Sequence, residues 1–112
     1  MTASDVRLTV PSNQPLEIHE TILVEPERDI LYIGLVAPML GGATPVTFDR
    51  AIRDIDSLCE TLGLPLAAEA GGDLRELVIR LMERPIDYGT VDPGAAQFSN
   101  AYDISDGACQ WY

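Results

Sequence analysis

The sequence predicts an α+β domain in which an antiparallel sheet of four to five strands carries one main helix on one face. Three observations predict it. Two segments near the N-terminus have strand patterning, one central segment has helical periodicity, and the C-terminus carries a strong hairpin signal. The expected order is β-β-α-β-β-β. The length of 112 residues fits one domain, which we place at residues 16–112 behind an extended arm, residues 1–15.

The first two predicted strands follow this arm. From Leu16 to Val24 apolar and polar residues alternate, with His19 on the polar face, which is typical of a half-buried strand. Proline and acidic residues at 25–29 then favour a turn. Residues 30–37 are almost wholly apolar and predict a second, more deeply buried strand. The two strands are expected to form a hairpin.

The central segment predicts the main helix. Its apolar residues recur at spacings of four, three, four and three, as one face of a helix requires. They are Phe48, Ile52, Ile55, Cys59 and Leu62.

The ends and the polar face of this helix are also predicted. Thr44-Pro45 or Thr47 can cap its start, and Gly63 followed by Pro65 is expected to end it. On the solvent-facing side, two acid–base pairs at a spacing of four residues are expected to add a few tenths of a kcal/mol each. These pairs are Asp49 with Arg53 and Arg50 with Asp54.

The segment from Leu74 to Glu83 fits two patterns. Its apolar residues can form a helical face, and Leu77, Ile79 and Leu81 fit a strand equally well. Because the segment is short and contains β-branched residues at 78 and 79, we predict a strand.

The C-terminus predicts a hairpin. Asp106-Gly107 is a preferred two-residue turn between residues 101–105 and 108–112. This register pairs Tyr102 with Trp111 and Ile104 with Cys109, which places all four on one apolar face.

Charge and hydropathy exclude some partners. Eighteen acidic residues face seven arginines, for a net charge of −11, so nucleic acid is not an expected partner. The acidity is typical of a solvated surface, and a second interpretation is an inhibitor that occupies a basic site on a protein partner. The longest apolar run, residues 30–40, is too short to span a membrane. No signal peptide is visible, which is compatible with a cytoplasmic protein or with a mature exported domain.

The two cysteines lie on faces that are predicted to share a core. Cys59 belongs to the helical stripe and Cys109 to the apolar face of the last hairpin. They could form a disulfide that closes a loop of about fifty residues, worth roughly 4 kcal/mol. They could equally be two free, buried thiols.

Four segments together resemble a known family. They are residues 58–65 (LCETLGLP), residues 78–89 with VIRLMERP and Tyr88-Gly89, residues 92–98 (DPGAAQF) and residues 104–111 (ISDGACQW). The chain resembles small exported bacterial proteins of unknown function, some of which carry an automatic acetolactate synthase label. The resemblance implies a periplasmic or otherwise exported domain and favours the Cys59–Cys109 disulfide. It supplies no catalytic residue, and the enzyme label does not fit a chain of this length.

No motif predicts a catalytic, cofactor or metal site. His19 is the sole histidine and is expected on the solvent-facing side, with Glu20 pointing the opposite way. The long connection from Pro85 to Gln97 is the first place to look for a binding site, because binding residues concentrate on loops. Its candidates are Tyr88, Gly89, Asp92 and Gln97.

Three functional classes follow. The leading hypothesis is a non-enzymatic binding or accessory module with an unknown partner. An acidic protein inhibitor is second. A small hydrolase with paired carboxylates is third.

Overall fold

A computed structural model describes residues 8–71 and 73–112 of the chain. Part of the predicted N-terminal arm, residues 1–7, lies outside the described residues. The strands are β1 (Glu17–Leu23), β2 (Ile30–Val36), β3 (Glu76–Met82), β4 (Gln97–Asp103) and β5 (Gln110–Trp111). The helices are α1 (Phe48–Leu58) and α2 (Leu64–Glu69), joined by a π-helical turn over Cys59–Gly63, and a short 3-10 turn covers Pro38–Leu40.

The five strands form one sheet in the order β1-β2-β3-β4-β5. The predicted α+β class and the order of elements are confirmed, and so is the strand prediction for the segment after the helix. The prediction of a purely antiparallel sheet is wrong at one pair, because β2 and β3 run parallel. The helical segment between them is a crossover that brings the chain back in the same direction, as parallel neighbours require. The sheet is therefore mixed.

The helical layer covers one face of the sheet and buries the main core. Strand residues that point to this face are Leu31, Ile33, Leu35, Leu77, Ile79 and Leu81. The helix packs on them through Ala51, Ile55, Leu58 and Cys59, all fully buried. Phe48, the first residue of the predicted stripe, is 58% exposed and packs edge-on against Phe98. Thr47 is the N-cap, and its hydroxyl accepts from the Arg50 amide at 3.4 Å.

Gly63 does not end the helix, contrary to the prediction. Its φ of −66° is helical, and the chain continues through the π-helical turn into α2. A Cβ at Gly63 would lie 2.2 Å from Cδ2 of Leu77. The glycine is therefore explained by the close approach of the helix to the sheet, and the helical segment ends instead near Gly71, where φ is +128°.

Asp54 is buried, so the prediction of an exposed Arg50–Asp54 pair is wrong. Its carboxylate accepts hydrogen bonds from the Ser12 amide at 3.0 Å and from the Gln14 side-chain amide at 2.6 Å. The Ser12 hydroxyl donates to the same carboxylate at 2.5 Å. A buried carboxylate requires such donors. These hydrogen bonds join the described part of the arm to α1.

The C-terminal hairpin has the predicted register, with Tyr102 opposite Trp111 and Asp103 opposite Gln110. Its turn differs from the prediction. The Gly107 amide donates to the Ile104 carbonyl, so the turn is centred on residues 105 and 106, and Gly107 follows with φ of +85°. The hairpin brings Cys109 to the helical layer, where it forms the predicted disulfide with Cys59.

Candidate ligand-binding site

The face of the sheet opposite the helices carries an open cavity of about 470 Å³. This volume lies in the range typical of small-molecule sites, which are mostly apolar with a few polar groups. Its apolar residues are Val24, Ile30, Tyr32, Val78, Tyr88 and Val91. Its polar or small residues are Glu76, Arg80, Gly89, Thr90 and Ser99.

The floor of the cavity follows from the period-two alternation of strands. The buried residues Leu77, Ile79 and Leu81 point to the helices. The residues that alternate with them, Glu76, Val78 and Arg80, therefore point to the cavity. Tyr32 contributes from the neighbouring strand and is 3% exposed.

Gly34 makes room for the Tyr32 side chain on this face. A Cβ at Gly34 would lie 2.8 Å from the Tyr32 hydroxyl and 3.1 Å from Cε of Met82. The tyrosine ring therefore lies along its own strand and closes the floor over the backbone.

A β-bulge in β1 positions the anchors of the loop that borders the cavity. Glu17 and Ile18 pair regularly with β2, then the register shifts between Ile18 and Glu20. Bulges re-aim side chains, and here His19 and Glu20 both reach the same loop. The His19 imidazole lies 2.9 Å from Asp87, and Glu20 accepts from the Tyr88 amide at 2.5 Å.

The bulge also corrects two predictions for this strand. The alternation does not continue through it, because Leu16 packs against the main core whereas Val24 lines the cavity on the other face. His19 and Glu20 do not point apart either. An imidazole nitrogen of His19, a carboxylate oxygen of Glu20 and a carboxylate oxygen of Asp87 lie within 4.8 Å of one another.

This group of three offers the donor types that a divalent cation accepts. Imidazole and carboxylate oxygen are both common ligands. In the structure the His19–Asp87 hydrogen bond and the Glu20–Tyr88 hydrogen bond already engage all three side chains. The arrangement therefore explains how the loop is attached to β1.

The loop itself, residues 83–96, is held by a buried side chain and by an ion pair. The Ile86 side chain is buried, and the Arg84 guanidinium makes two hydrogen bonds to Asp92, at 2.8 and 3.0 Å. This guanidinium holds the pKa of Asp92 below its usual value of 3.8. The loop carries the Tyr88 ring to the cavity, where its centroid lies 4.7 Å from that of Tyr32.

Arg80 is the cationic group of the cavity. It is half-buried, and its Nε donates to the Gln97 side-chain oxygen at 2.8 Å, with Nη2 donating to the same oxygen. Nη1 donates to the Tyr32 hydroxyl at 3.4 Å. Across the described part of the chain, none of the ion pairs includes Arg80. Its charge is thus held by two neutral acceptors.

The four residues proposed from the sequence have different positions relative to the cavity. Tyr88 and Gly89 line the cavity, and the Gln97 side chain accepts hydrogen bonds from Arg80. Asp92 lies outside the lining and braces the loop through Arg84. Sequence reasoning missed Tyr32, Val78 and Arg80. A signal for the last two existed, since they alternate with the apolar residues that define β3.

Comparison with known families gives one match over the whole chain. A family of unknown function, DUF6497, matches residues 1–112. The chain belongs to this family. No match was found among curated proteins or among solved structures. Among residues 8–71 and 73–112 of this DUF6497 member, none of the helices could span a membrane.

Proposed function

We propose that this DUF6497 domain is a non-enzymatic binding module that takes a small, largely apolar ligand into the cavity on the open face of its sheet. One observation carries the proposal. The cavity has an apolar floor, an aromatic residue on the loop beside it, and only a few polar groups to orient a ligand.

The composition of the lining favours binding over hydrolysis. Paired-carboxylate chemistry requires two acids that face one substrate. Among the described residues that line the cavity, Glu76 is the sole acid, and its carboxylate accepts from the Tyr112 hydroxyl at 2.9 Å. A ligand held there meets aromatic and aliphatic surface in place of a reactive pair.

We place the domain in an oxidising, exported compartment, for which the periplasm of a bacterium is the leading candidate. The Cys59–Cys109 disulfide supports this placement, because disulfides persist mainly outside the reducing cytosol. The measurement is the intact mass of the protein recovered from its native cells with thiols blocked at lysis. Two alkylated cysteines would contradict the placement.

The binding proposal is tested with a neutral apolar reporter, N-phenyl-1-naphthylamine, whose fluorescence rises in apolar surroundings. We expect saturable binding to the native protein, with amide shift changes in NMR spectra at Tyr32, Val78 and Ser99. Absence of saturable binding, or shift changes confined to the helical layer, would refute the proposal.

Two aromatic residues provide a matched pair of variants. Tyr88 is 46% exposed and packs on Tyr32 at the cavity, whereas Phe48 is 58% exposed and packs on Phe98 at the helical layer. Tyr88→Ala should weaken reporter binding about tenfold, since aromatic contact area dominates such sites. Phe48→Ala should leave it unchanged. Equal effects of the two substitutions would indicate general surface adsorption of the reporter.

A further inference from the structure

Building on the proposed binding function, we infer that the ligand carries a single carboxylate, which Arg80 receives at one end of the cavity. Three other arginines pair with acids of the chain. Arg28 pairs with Glu25, Arg75 with Asp29, and Arg84 with Asp92. Arg80 is held by neutral groups instead.

The hydrogen bonds of Arg80 leave part of its guanidinium free. The group has five N–H donors, and its contacts with Gln97 and Tyr32 use three of them. One N–H remains on each of Nη1 and Nη2. Two donors on adjacent nitrogens match the two oxygens of a carboxylate, which guanidinium groups commonly bind in a bidentate manner.

The positions of Arg80 and Glu76 indicate the direction in which such a ligand lies. Glu76 and Arg80 are on the same face of β3, four residues and therefore roughly 13 Å apart along the strand. The Glu76 carboxylate is already paired with Arg75 at 3.4 Å, so among the described lining residues Arg80 is the group that attracts a ligand carboxylate. The apolar body then lies between them, over Val78 and beside the two tyrosine rings.

The acidity of the protein favours a monoanion over a phosphate ester. The chain carries a net charge of −11, and Glu76 shares the cavity. A phosphate monoester would bring nearly two negative charges at neutral pH. One guanidinium can balance a carboxylate charge but leaves the second phosphate charge uncompensated.

Three probes with one apolar body test the inference: 4-phenylbutyrate, 4-phenylbutan-1-ol and 4-phenylbutyl phosphate. Isothermal titration of the native protein should show the carboxylate binding at least about tenfold more tightly than the alcohol, as expected for hydrogen bonds to a charged group. It should also bind more tightly than the phosphate. The NMR signal of the Arg80 Nε–H should move with the carboxylate and stay in place with the alcohol.

Arg80→Gln should abolish the preference for the carboxylate over the alcohol. Arg53→Gln is the matched control, because it removes the same charge from the exposed side of α1 and should preserve the preference.

Gln97→Glu is the second variant. It is nearly isosteric and gives Arg80 an internal carboxylate partner, so carboxylate affinity should fall at least about tenfold in a protein that folds normally.

The outcomes separate this inference from the function on which it depends. Equal affinity for carboxylate and alcohol, or tighter binding of the phosphate, would overturn the monocarboxylate inference and leave the binding function standing. A carboxylate preference that survives both Arg80→Gln and Gln97→Glu would also overturn it. Absence of saturable N-phenyl-1-naphthylamine binding would refute the proposed function itself.

Discussion

The two faces of the sheet differ in how completely their side chains are covered. On the helical face Leu35, Leu77 and Ile79 are fully buried, and a disulfide joins the covering layer to the C-terminal hairpin. On the open face Val78 and Arg80 of β3 remain half-exposed beneath a loop. Consecutive residues of β3 therefore differ in burial according to the face of the sheet on which they lie. The helical face buries the main apolar core, whereas the open face carries the cavity in which we propose that a ligand binds.

This contrast predicts that damage to the helical face lowers stability without changing ligand affinity, whereas damage to the open face does the reverse. The largest effect is expected from the disulfide. Replacing both Cys59 and Cys109 by Ala opens a loop with a sequence separation of 50 residues. The free energy of unfolding should fall by about 4 kcal/mol, mainly because the unfolded chain regains conformational freedom.

Guanidinium chloride unfolding measures this loss. Wild-type protein in reductant serves as the control and should lose a similar amount. Reporter affinity, measured without denaturant, should match that of the wild type. A change below about 1 kcal/mol would mean that the bridge does not hold the helical layer in place.

The next largest effect concerns Asp54, which ties the arm to the helical layer. Asp54→Ala removes the acceptor of three donors from Ser12 and Gln14. We expect a loss of about 3 kcal/mol, because buried donors left unsatisfied are costly. Asp49→Ala is the control, since Asp49 is exposed in the first turn and should cost about 0.5 kcal/mol through the helix dipole. Equal losses in thermal unfolding would show that the hydrogen bonds from Ser12 and Gln14 to Asp54 do not stabilise the fold.

The contact between Gly63 and Leu77 predicts a smaller effect. Gly63→Ala forces the new methyl group against the Leu77 side chain and should cost about 2 kcal/mol through overpacking. Leu77→Ala removes a fully buried side chain and is itself destabilising, but the double variant should lose less than the sum of the two single losses in denaturant unfolding, because the truncated Leu77 no longer meets the new methyl group. Strict additivity would show that the layers do not meet at this point.

The sequence predicted the helical face better than the open face, and the reason is physical. Burial imposes a periodic pattern, so the stripe through Ile55 and Cys59 and the register of Tyr102 with Trp111 could be derived from spacing. A bulge has no such pattern, so the joint placement of His19 and Glu20 was missed. Asp54 was misassigned because a charge on a helix is normally solvent-facing, and its partners lie 40 or more residues away.

The candidate site was predicted only where it lies on a loop. The connection from Pro85 to Gln97 stood out by its length and composition, and it carries Tyr88 and Gly89 to the cavity. The alternation along β3 placed Arg80 on the face away from the core, but an arginine in such a position normally faces solvent, so the pattern alone did not indicate a site. Its significance depends on Tyr32 and Gln97, which only the paired strands bring within reach.

The smallest expected effect is local and depends on pH. The Arg84 guanidinium lowers the pKa of Asp92 in the folded protein. Since the folded-state pKa lies below that of the unfolded chain, the ion pair contributes fully above the usual value of 3.8 and is lost as the pH falls through the lower folded-state value. In that acidic range NMR should show the loop amides Gly94 and Ala95 exchanging faster, while amides of the helical face stay protected. Asp92→Asn should abolish this pH dependence, and loosening of both faces at the same pH would contradict the separation between them.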